Sequence, residues 1–174
     1  TMAANAALRL GETPTVLQMS GARALPVVMK LSKAHEVMRT DDHGLPLESL
    51  LALPEQLAKP LMVFDSATQA DSLVVLTELF HEGKPVIAAV HLNKRMAALE
   101  INEVSSIYGR TGAQGWLKRE IGEGRLRYID KTRSFAWGRE LSGLQLPAVM
   151  QHAKRLDGNK ILTERDLVKM FNQM

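Results

Sequence analysis

Cysteine is absent from the 174-residue sequence. Its absence excludes disulfide bonds, zinc sites built on thiolates and a cysteine nucleophile. Aromatic residues are also scarce, at 5% of the chain. The two tryptophans, Trp116 and Trp137, are therefore interpreted first as core or edge residues, and only second as platforms for stacked bases.

Long apolar runs are missing as well. No stretch approaches the ~18 consecutive apolar residues that a membrane-spanning helix needs, and the first residues lack the cationic start and apolar block of a signal peptide. With 45% hydrophobic and 24% charged residues, the composition is that of a globular domain. We expect residues 1–24 to be a linker or N-terminal helical extension and residues 25–174 to be a single domain.

Several motifs that identify a cofactor site or an enzyme class are not found. The sequence has no P-loop, no dinucleotide-binding glycine pattern, no HExxH and no GxSxG. Its five histidines are scattered, and no pair has metal-ligand spacing on one helix face. We therefore expect neither a metal nor a cofactor. The net charge of +3 and the pI of about 9.3 permit a polyanionic partner without requiring one.

Two apolar runs, residues 72–80 and 84–92, flank a turn at Glu82-Gly83 and predict an antiparallel hairpin at the centre of a sheet. This turn pairs Phe80 with Pro85 and Val74 with His91. One face of the hairpin is then almost wholly apolar, and helices within residues 32–58 should cover it. The other face has polar positions and could line a cleft. A further strand is expected over residues 101–108, and another over the segment RLRYID at residues 125–130.

Two histidines are candidates for proton transfer. His43 lies in an acidic loop segment, Asp-Asp-His-Gly, whose charges would favour the imidazolium; the alternative is an exposed loop histidine. His91 lies on the less apolar hairpin face and could be a general acid or base, or a core histidine bonded to a carbonyl. Glu78 shares that face but is roughly 13 Å away at ~3.3 Å per residue, so it could pair with Arg127 instead.

Polar residues cluster on two further strands. Ser106, Tyr108 and Arg110 form the segment SIYGR at a strand end. Arg125 and Arg127 alternate along the segment RLRYID, which places both on one face with Ile129, and Leu126 and Tyr128 on the other. Two arginines on one strand face suit phosphate binding, and a solvated sheet surface is the alternative.

The order of several short segments resembles a known family. They are HGLPLESL at 43–50, LPEQLAKP at 53–60, VFDS at 63–66, VLTEL at 75–79, GKPVIAAV at 83–90, INEVSSIYG at 101–109 and GRLRYIDK at 124–131. In this order the segments are similar to the MuF C-terminal and related phage domains, which are placed with the barnase–EndoU–colicin–RelE-like nucleases.

The resemblance implies an α+β fold in which N-terminal helices pack on an antiparallel sheet of about four strands, with a helical C-terminus. It also implies metal-independent RNA cleavage through attack of the ribose 2′-hydroxyl on the adjacent phosphate, which needs a base, an acid and a cation. The candidate catalytic residues are His43, His91, Ser106, Tyr108 and Arg127. The candidate RNA- and phosphate-binding residues are Arg110, Arg125 and Tyr128.

The leading hypothesis is a toxin-type endoribonuclease domain at the C-terminal end of a larger phage or mobile-element polypeptide. Its expected partners are RNA and a cognate immunity protein, and its expected location is the cytoplasm of a bacterial target or host cell. Two alternatives stay open, a non-catalytic protein-binding module of a packaged phage protein and a nucleotide-dependent transferase toxin.

Overall fold

The computed structural model describes residues 6–39, 44–141 and 143–173. Within these ranges the chain forms eight strands and eight helices. The strands are β1 (Ala7–Glu12), β2 (Pro26–Lys30), β3 (Met62–Asp65), β4 (Ser72–His81), β5 (Lys84–Met96), β6 (Leu99–Gly109), β7 (Leu126–Ile129) and β8 (Leu162–Thr163). The helices are α1 (Thr15–Met19), α2 (Leu31–Val37), α3 (Leu47–Leu51), α4 (Leu53–Ala58), α5 (Ala113–Gly122), α6 (Lys131–Glu140), α7 (Leu146–Met150) and α8 (Glu164–Asn172).

All eight strands belong to one sheet, in the order β1-β2-β6-β5-β4-β3-β7-β8. The pairs β2–β6 and β7–β8 are parallel and the others are antiparallel. The expected antiparallel sheet of about four strands is therefore wrong: the fold is α+β, but its sheet is mixed and twice as large. The helices are spread along the chain rather than gathered at its N-terminal end. The number four follows from the resemblance alone, and the residues give no clear strand signal for β1 or β8 at the two edges of the sheet.

The predicted central hairpin is confirmed, since β4 and β5 are the middle strands of the sheet. Phe80 pairs with Pro85 as predicted, but Val74 pairs with Ala89 rather than with His91. The register shifts between Leu76 and Phe80. The shift is two residues, and because side chains alternate with period two, the assignment of residues to faces survives it.

One face of the sheet, here called the inner face, packs against α1 to α4. Its buried hairpin residues are the predicted Leu73, Val75, Val86, Ala88 and Val90. The covering helices contribute Leu17, Ala34, Leu50, Leu53 and Leu57 to the same cluster. The prediction that helices within residues 32–58 cover this face is confirmed.

The opposite face, here called the outer face, packs against α5 to α7 over part of its width. Phe64 contacts Trp116 at a ring-centroid distance of 5.2 Å, and Leu117, Trp137 and Leu146 complete this second cluster with other buried residues. On the sheet the cluster extends only to Ile87 of β5, and none of its members comes from β1, β2 or β6. The outer face of these strands therefore carries no part of the second core.

Part of the segment 1–24, expected to be a linker or N-terminal helical extension, forms β1 and α1. Strand β1 pairs with β2, and Val16 and Leu17 of α1 are buried in the inner cluster. This segment therefore adds a strand and core residues to the domain. None of the described helices has both the length and the apolar content to cross a membrane.

Candidate functional site

Three of the proposed site residues share the outer face of β5 and β6. His91 lies between Val90 and Leu92, and both of these pack into the inner cluster, so His91 lies on the outer side of the alternating strand. Ser106 and Tyr108 flank Ile107, which is also an inner-cluster residue. Arg110 follows directly after β6. These four residues are called the polar strip below.

The register of β5 and β6 sets the spacing along the strip. Tyr108 lies opposite Ile87, and Ser106 lies opposite Ala89. His91 is a diagonal neighbour of Ser106 across the ladder, at a distance of about 7–8 Å, and Tyr108 is two residues from Ser106 on the same strand. Ser106 therefore lies between His91 and Tyr108. Tyr108 is 43% exposed, while Ser106 and His91 are half-buried. An extended polyanion laid across the sheet can therefore contact the whole strip.

A carboxylate that sequence reasoning missed lies beside the strip. Glu103 is directly opposite His91 in the β5–β6 ladder, an arrangement that places the two Cβ atoms about 5 Å apart. The Glu103 side chain is only 14% exposed, and its carboxylate is 3.8 Å from the Lys30 ammonium group. Its proximity to His91 was hidden because the β5–β6 register shifts twice, between Ala89 and Val90 and between His91 and Lys94.

The first of these shifts is a bulge at Ser105, which has no partner opposite it on β5. The Ser105 hydroxyl donates to the carbonyl of Ala89 at 3.4 Å. Bulges bend a strand and redirect the neighbouring side chains. This bulge allows Val104 and Ile107 both to face the inner core, and it leaves Ser106 on the outer face.

A cleft of about 320 Å³ opens beside the strip, and it is called the side cleft below. Tyr108 and Arg110 belong to both the strip and the side cleft. Trp116, Arg119 and Glu120 of α5 form a wall, and Ser66 and Thr68 come from the loop between β3 and β4. The predicted outer-face positions Val74 and Ile87 also line the cleft.

Arg110 is the cation at the junction of the strip and the side cleft. Its backbone amide donates to the Pro85 carbonyl at 2.7 Å, which continues the β5–β6 pairing past the end of β6. Its guanidinium carbon lies 5.7 Å from the ring centroid of Trp116. The Nε atom is buried and has no hydrogen-bond partner among the described residues. The Nε group is therefore covered by protein atoms, and the terminal nitrogens of the guanidinium are the Arg110 donors that remain for a ligand in the side cleft.

Arg125 also lines the side cleft, but two carboxylates hold it. Its Nε donates to Glu120 and its Nη2 donates to Glu123. The hydrogen bond to Glu120 is the main reason that the pKa of Arg125 is raised above its ordinary value. A phosphate would have to compete with both carboxylates for this arginine.

Arg127 is separated from the strip. The β3–β7 ladder shifts at this residue, because Val63 pairs with Tyr128 but Phe64 pairs with Leu126. Tyr128 consequently packs in the inner cluster and Leu126 in the outer one. The prediction that these two residues share a face, with Arg125, Arg127 and Ile129 on the other, is wrong because of this bulge.

The side chain of Arg127, the bulge residue of β7, connects β7 with the end of β3 and with the residue that follows α1. Its Nε donates to the Asp65 carboxylate, and its Nη1 donates to the Ser20 carbonyl at 2.7 Å. Gly21 makes room for it, since a Cβ at that position would lie 2.6 Å from Arg127 Nη1. The suggested pairing of Glu78 with Arg127 is not found, because Glu78 forms its ion pair with Arg133.

Two other candidates are not on the strip. Tyr128 is only 2% exposed, and burial, followed by the charges of Asp130 and Glu164, raises the pKa of its phenol well above the ordinary range. Its ring is therefore a core element and not a surface contact for RNA. His43 lies outside the described residues.

Residues 34–135 match the family model of the phage MuF-C-terminal domain. The match covers more than half of the chain. The chain belongs to the phage MuF-C-terminal domain family. No curated protein and no solved structure matches it significantly.

Most strands of the sheet lie within the segment that matches the family. It includes β3 to β7 in full and therefore contains the polar strip and the side cleft. Strands β1 and β2 precede the matched segment, and α7, β8 and α8 follow it. The candidate site thus lies within the part of the chain that defines the MuF-C-terminal family.

Proposed function

We propose that this MuF-C-terminal domain is an endoribonuclease that binds RNA across the polar strip and cleaves it there. The observation that carries the proposal is the placement of an imidazole, two hydroxyls and an arginine along one sheet face, outside the second core. The basic pI of about 9.3 is compatible with a polyanionic substrate.

The proposed reaction is an internal transesterification. The ribose 2′-hydroxyl loses its proton to a base, and its oxygen forms a bond to the adjacent phosphorus. The bond from phosphorus to the 5′-oxygen breaks, and that oxygen receives a proton from an acid. The products are a 2′,3′-cyclic phosphate and a 5′-hydroxyl end. The protein must therefore supply a base, an acid and a cation for the phosphorane charge.

In this proposal His91 is the base. Its position opposite Glu103 gives it a carboxylate that can orient the imidazole when substrate binds, as in other paired catalytic groups. No hydrogen bond joins these two side chains among the described residues, and contacts of this kind often tighten only when substrate binds.

At the other end of the strip, Tyr108 is the proton donor to the 5′-oxygen. The exposed phenol carries a hydroxyl that can donate a proton or a hydrogen bond. Ser106 lies between the base and the acid and holds a non-bridging phosphate oxygen through its hydroxyl. These three side chains would act on a single phosphate centred over Ser106.

Arg110, rather than Arg127, is the proposed phosphate cation. It lines the side cleft together with Tyr108, whereas Arg127 is committed to Asp65 and Ser20. A guanidinium can also contact a phosphate through two parallel hydrogen bonds.

Membership in a phage domain family supports a phage protein as the context of this activity. We propose that the domain acts as a toxin-type nuclease, within a larger phage or mobile-element polypeptide, in the cytoplasm of a bacterial target or host cell. An immunity protein that covers the strip would protect the producing cell.

The direct test is cleavage of a labelled RNA by the purified domain, with and without EDTA. We expect a 2′,3′-cyclic phosphate product under both conditions and a loss of roughly 10²–10⁴-fold in rate for His91→Ala. His35→Ala is the matched control, because α2 packs on the inner face through Ala34, away from the strip. Intact RNA under both conditions, or full activity in His91→Ala, would overturn the proposal.

A further inference from the structure

The side cleft holds a carboxylate that the cleavage chemistry does not use. Glu120 lines the cleft, and its side chain is only 7% exposed. Arg119 lines the cleft as well, with a side chain that is 52% exposed. A fixed acceptor beside an accessible cationic donor suits a ligand that offers both donors and acceptors.

We propose that the side cleft binds a guanine base and selects the nucleotide next to the phosphate that the strip cleaves. The role in selecting the cleaved position rests on the proposed ribonuclease function, but binding of guanine to the side cleft can be tested without any cleavage.

The acceptor in the cleft is the Glu120 carboxylate. One of its oxygens accepts from Arg125 Nε, which fixes the orientation of the group. Its other oxygen, Oε1, is 4.0 Å from Arg119 Nη2, beyond hydrogen-bonding distance. A carboxylate anchored through one oxygen can accept hydrogen bonds from the N1–H and N2–H₂ groups of guanine.

The donor is Arg119. It lines the cleft and its side chain is 52% exposed, and a bidentate contact of arginine with O6 and N7 is the commonest specific contact to guanine. Arg110 is left to contact the neighbouring phosphate.

The cleft also has surfaces on which a base can stack. Tyr108, exposed at the border with the strip, provides an aromatic ring, and arginine guanidinium planes serve the same purpose in RNA-binding proteins. Val74 and Ile87 form an apolar floor on the sheet. The volume of about 320 Å³ is at the lower end for small-molecule pockets, which suits a single base with its ribose.

Guanine fits this set of groups better than the other bases. Its Watson–Crick edge presents two adjacent donors to a carboxylate, while O6 and N7 present two acceptors to arginine. Adenine has an acceptor at N1 where guanine has a donor, so the Glu120 carboxylate would face a lone pair. Pyrimidines lack the N7 acceptor and cover less of an aromatic ring.

The first experiment measures binding of the four nucleoside 5′-monophosphates by calorimetry, and follows the indole N–H signals of the tryptophans by NMR. We expect GMP to bind at least about tenfold more tightly than AMP, the lower part of the range for one well-made base contact. The Trp116 signal should shift, while the Trp137 signal serves as the internal reference because Trp137 does not line the cleft. Glu120→Gln should abolish the preference for GMP while weak AMP binding remains.

The second experiment uses four DNA oligonucleotides, each with one ribonucleotide that differs only in its base. Preferred cleavage at guanosine, lost in Glu120→Gln, supports the proposal. Cleavage without base preference, together with equal binding of GMP and AMP, overturns it and leaves the ribonuclease function standing. GMP selectivity without any RNA cleavage supports the pocket and overturns the ribonuclease function. If Glu120→Gln does not fold, a GMP titration of the unaltered protein that leaves the Trp116 signal in place overturns the proposal.

Discussion

The Thr77 hydroxyl donates a hydrogen bond of 2.7 Å to the Val86 carbonyl across the irregular part of the central hairpin. The same oxygen accepts from the Leu79 amide at 3.1 Å. Thr77 is fully buried, and these bonds replace ladder bonds that the register shift removes. A single side chain thus satisfies backbone groups on both strands of the bulge.

We expect Thr77→Val to destabilise the domain by about 1–3 kcal/mol, because it leaves a buried carbonyl and a partly buried amide without this partner while the side-chain volume is kept. The measurement is the free energy of unfolding in urea. Thr111→Val, at an exposed position after β6, is the matched control and should change stability by less than about 0.5 kcal/mol. Equal stability of the two variants would contradict this role.

Arg127→Lys should lower stability by about 1–3 kcal/mol although the charge is kept. Arg127 holds Asp65 through Nε and the Ser20 carbonyl through Nη1, and a lysine ammonium cannot reproduce this fork. Arg9→Lys is the control, since the Arg9–Glu12 pair is 65% exposed on both sides and such pairs contribute little. A normal melt for Arg127→Lys, accompanied by loss of RNA cleavage, would instead favour the catalytic role first predicted for this residue.

The sequence predicted the central hairpin and its inner face because their signal is local. Strands β4 and β5 are adjacent in the chain, are joined by a short turn, and carry apolar residues at nearly every inner-face position. Even the two-residue register shift at Thr77 did not disturb the faces. The prediction of a buried inner side therefore needed no knowledge of the rest of the sheet.

The bulges and distant pairings could not be predicted in this way. Arg127 left its expected face because Val63 and Phe64 pair with β7 on either side of it, and nothing in the segment RLRYID marks an extra residue. Likewise, the approach of Glu103 to His91 depends on two shifts in the β5–β6 ladder. The segment SIYGR was visible as a polar cluster, but its relation to Trp116 and Glu120 exists only in the folded chain.

Val90→Asp should prevent cooperative folding. Val90 is fully buried in the inner cluster between strands β4 and β6, and an unpaired carboxylate there costs several kcal/mol, which is comparable with the total stability of a small domain. Circular dichroism during a thermal melt is the measurement. Leu99→Asp, at a position that is 64% exposed, should melt as the unaltered protein does. A wild-type-like transition for Val90→Asp would refute the burial of this face.

The C-terminal helix should lose an anchor in acid. The pKa of Asp166 is lowered, chiefly by its hydrogen bond to Lys160 at 2.7 Å, and also by bonds from Thr163 at the N-terminus of α8. A carboxyl group with a lowered pKa in the folded state contributes stability above its unfolded pKa of about 3.9, and that contribution disappears as the pH falls through the folded pKa.

Asp166→Asn should therefore be less stable than the unaltered protein at pH 7, and the difference should vanish at a pH below the folded pKa. Urea unfolding of both proteins over a pH series measures this difference. If the gap between them is as large in acid as at neutral pH, the stabilisation by Asp166 does not depend on its charge.

The last prediction concerns Glu103 as a positioning residue for His91. If the carboxylate orients the imidazole during cleavage, Glu103→Gln should lower kcat by up to about 10²-fold, the scale of a small misplacement of a catalytic group, and should leave KM for RNA nearly unchanged. Glu100→Gln is the control on the same strand, because Glu100 pairs with Arg23 at 2.9 Å at the far end of β6 and should retain full activity. A double variant, His91→Ala with Glu103→Gln, should be no slower than His91→Ala alone, since the carboxylate then has no base to orient. Additive losses in the double variant would show that Glu103 acts independently of His91, and an equal rise in KM would show that it only contributes to RNA binding.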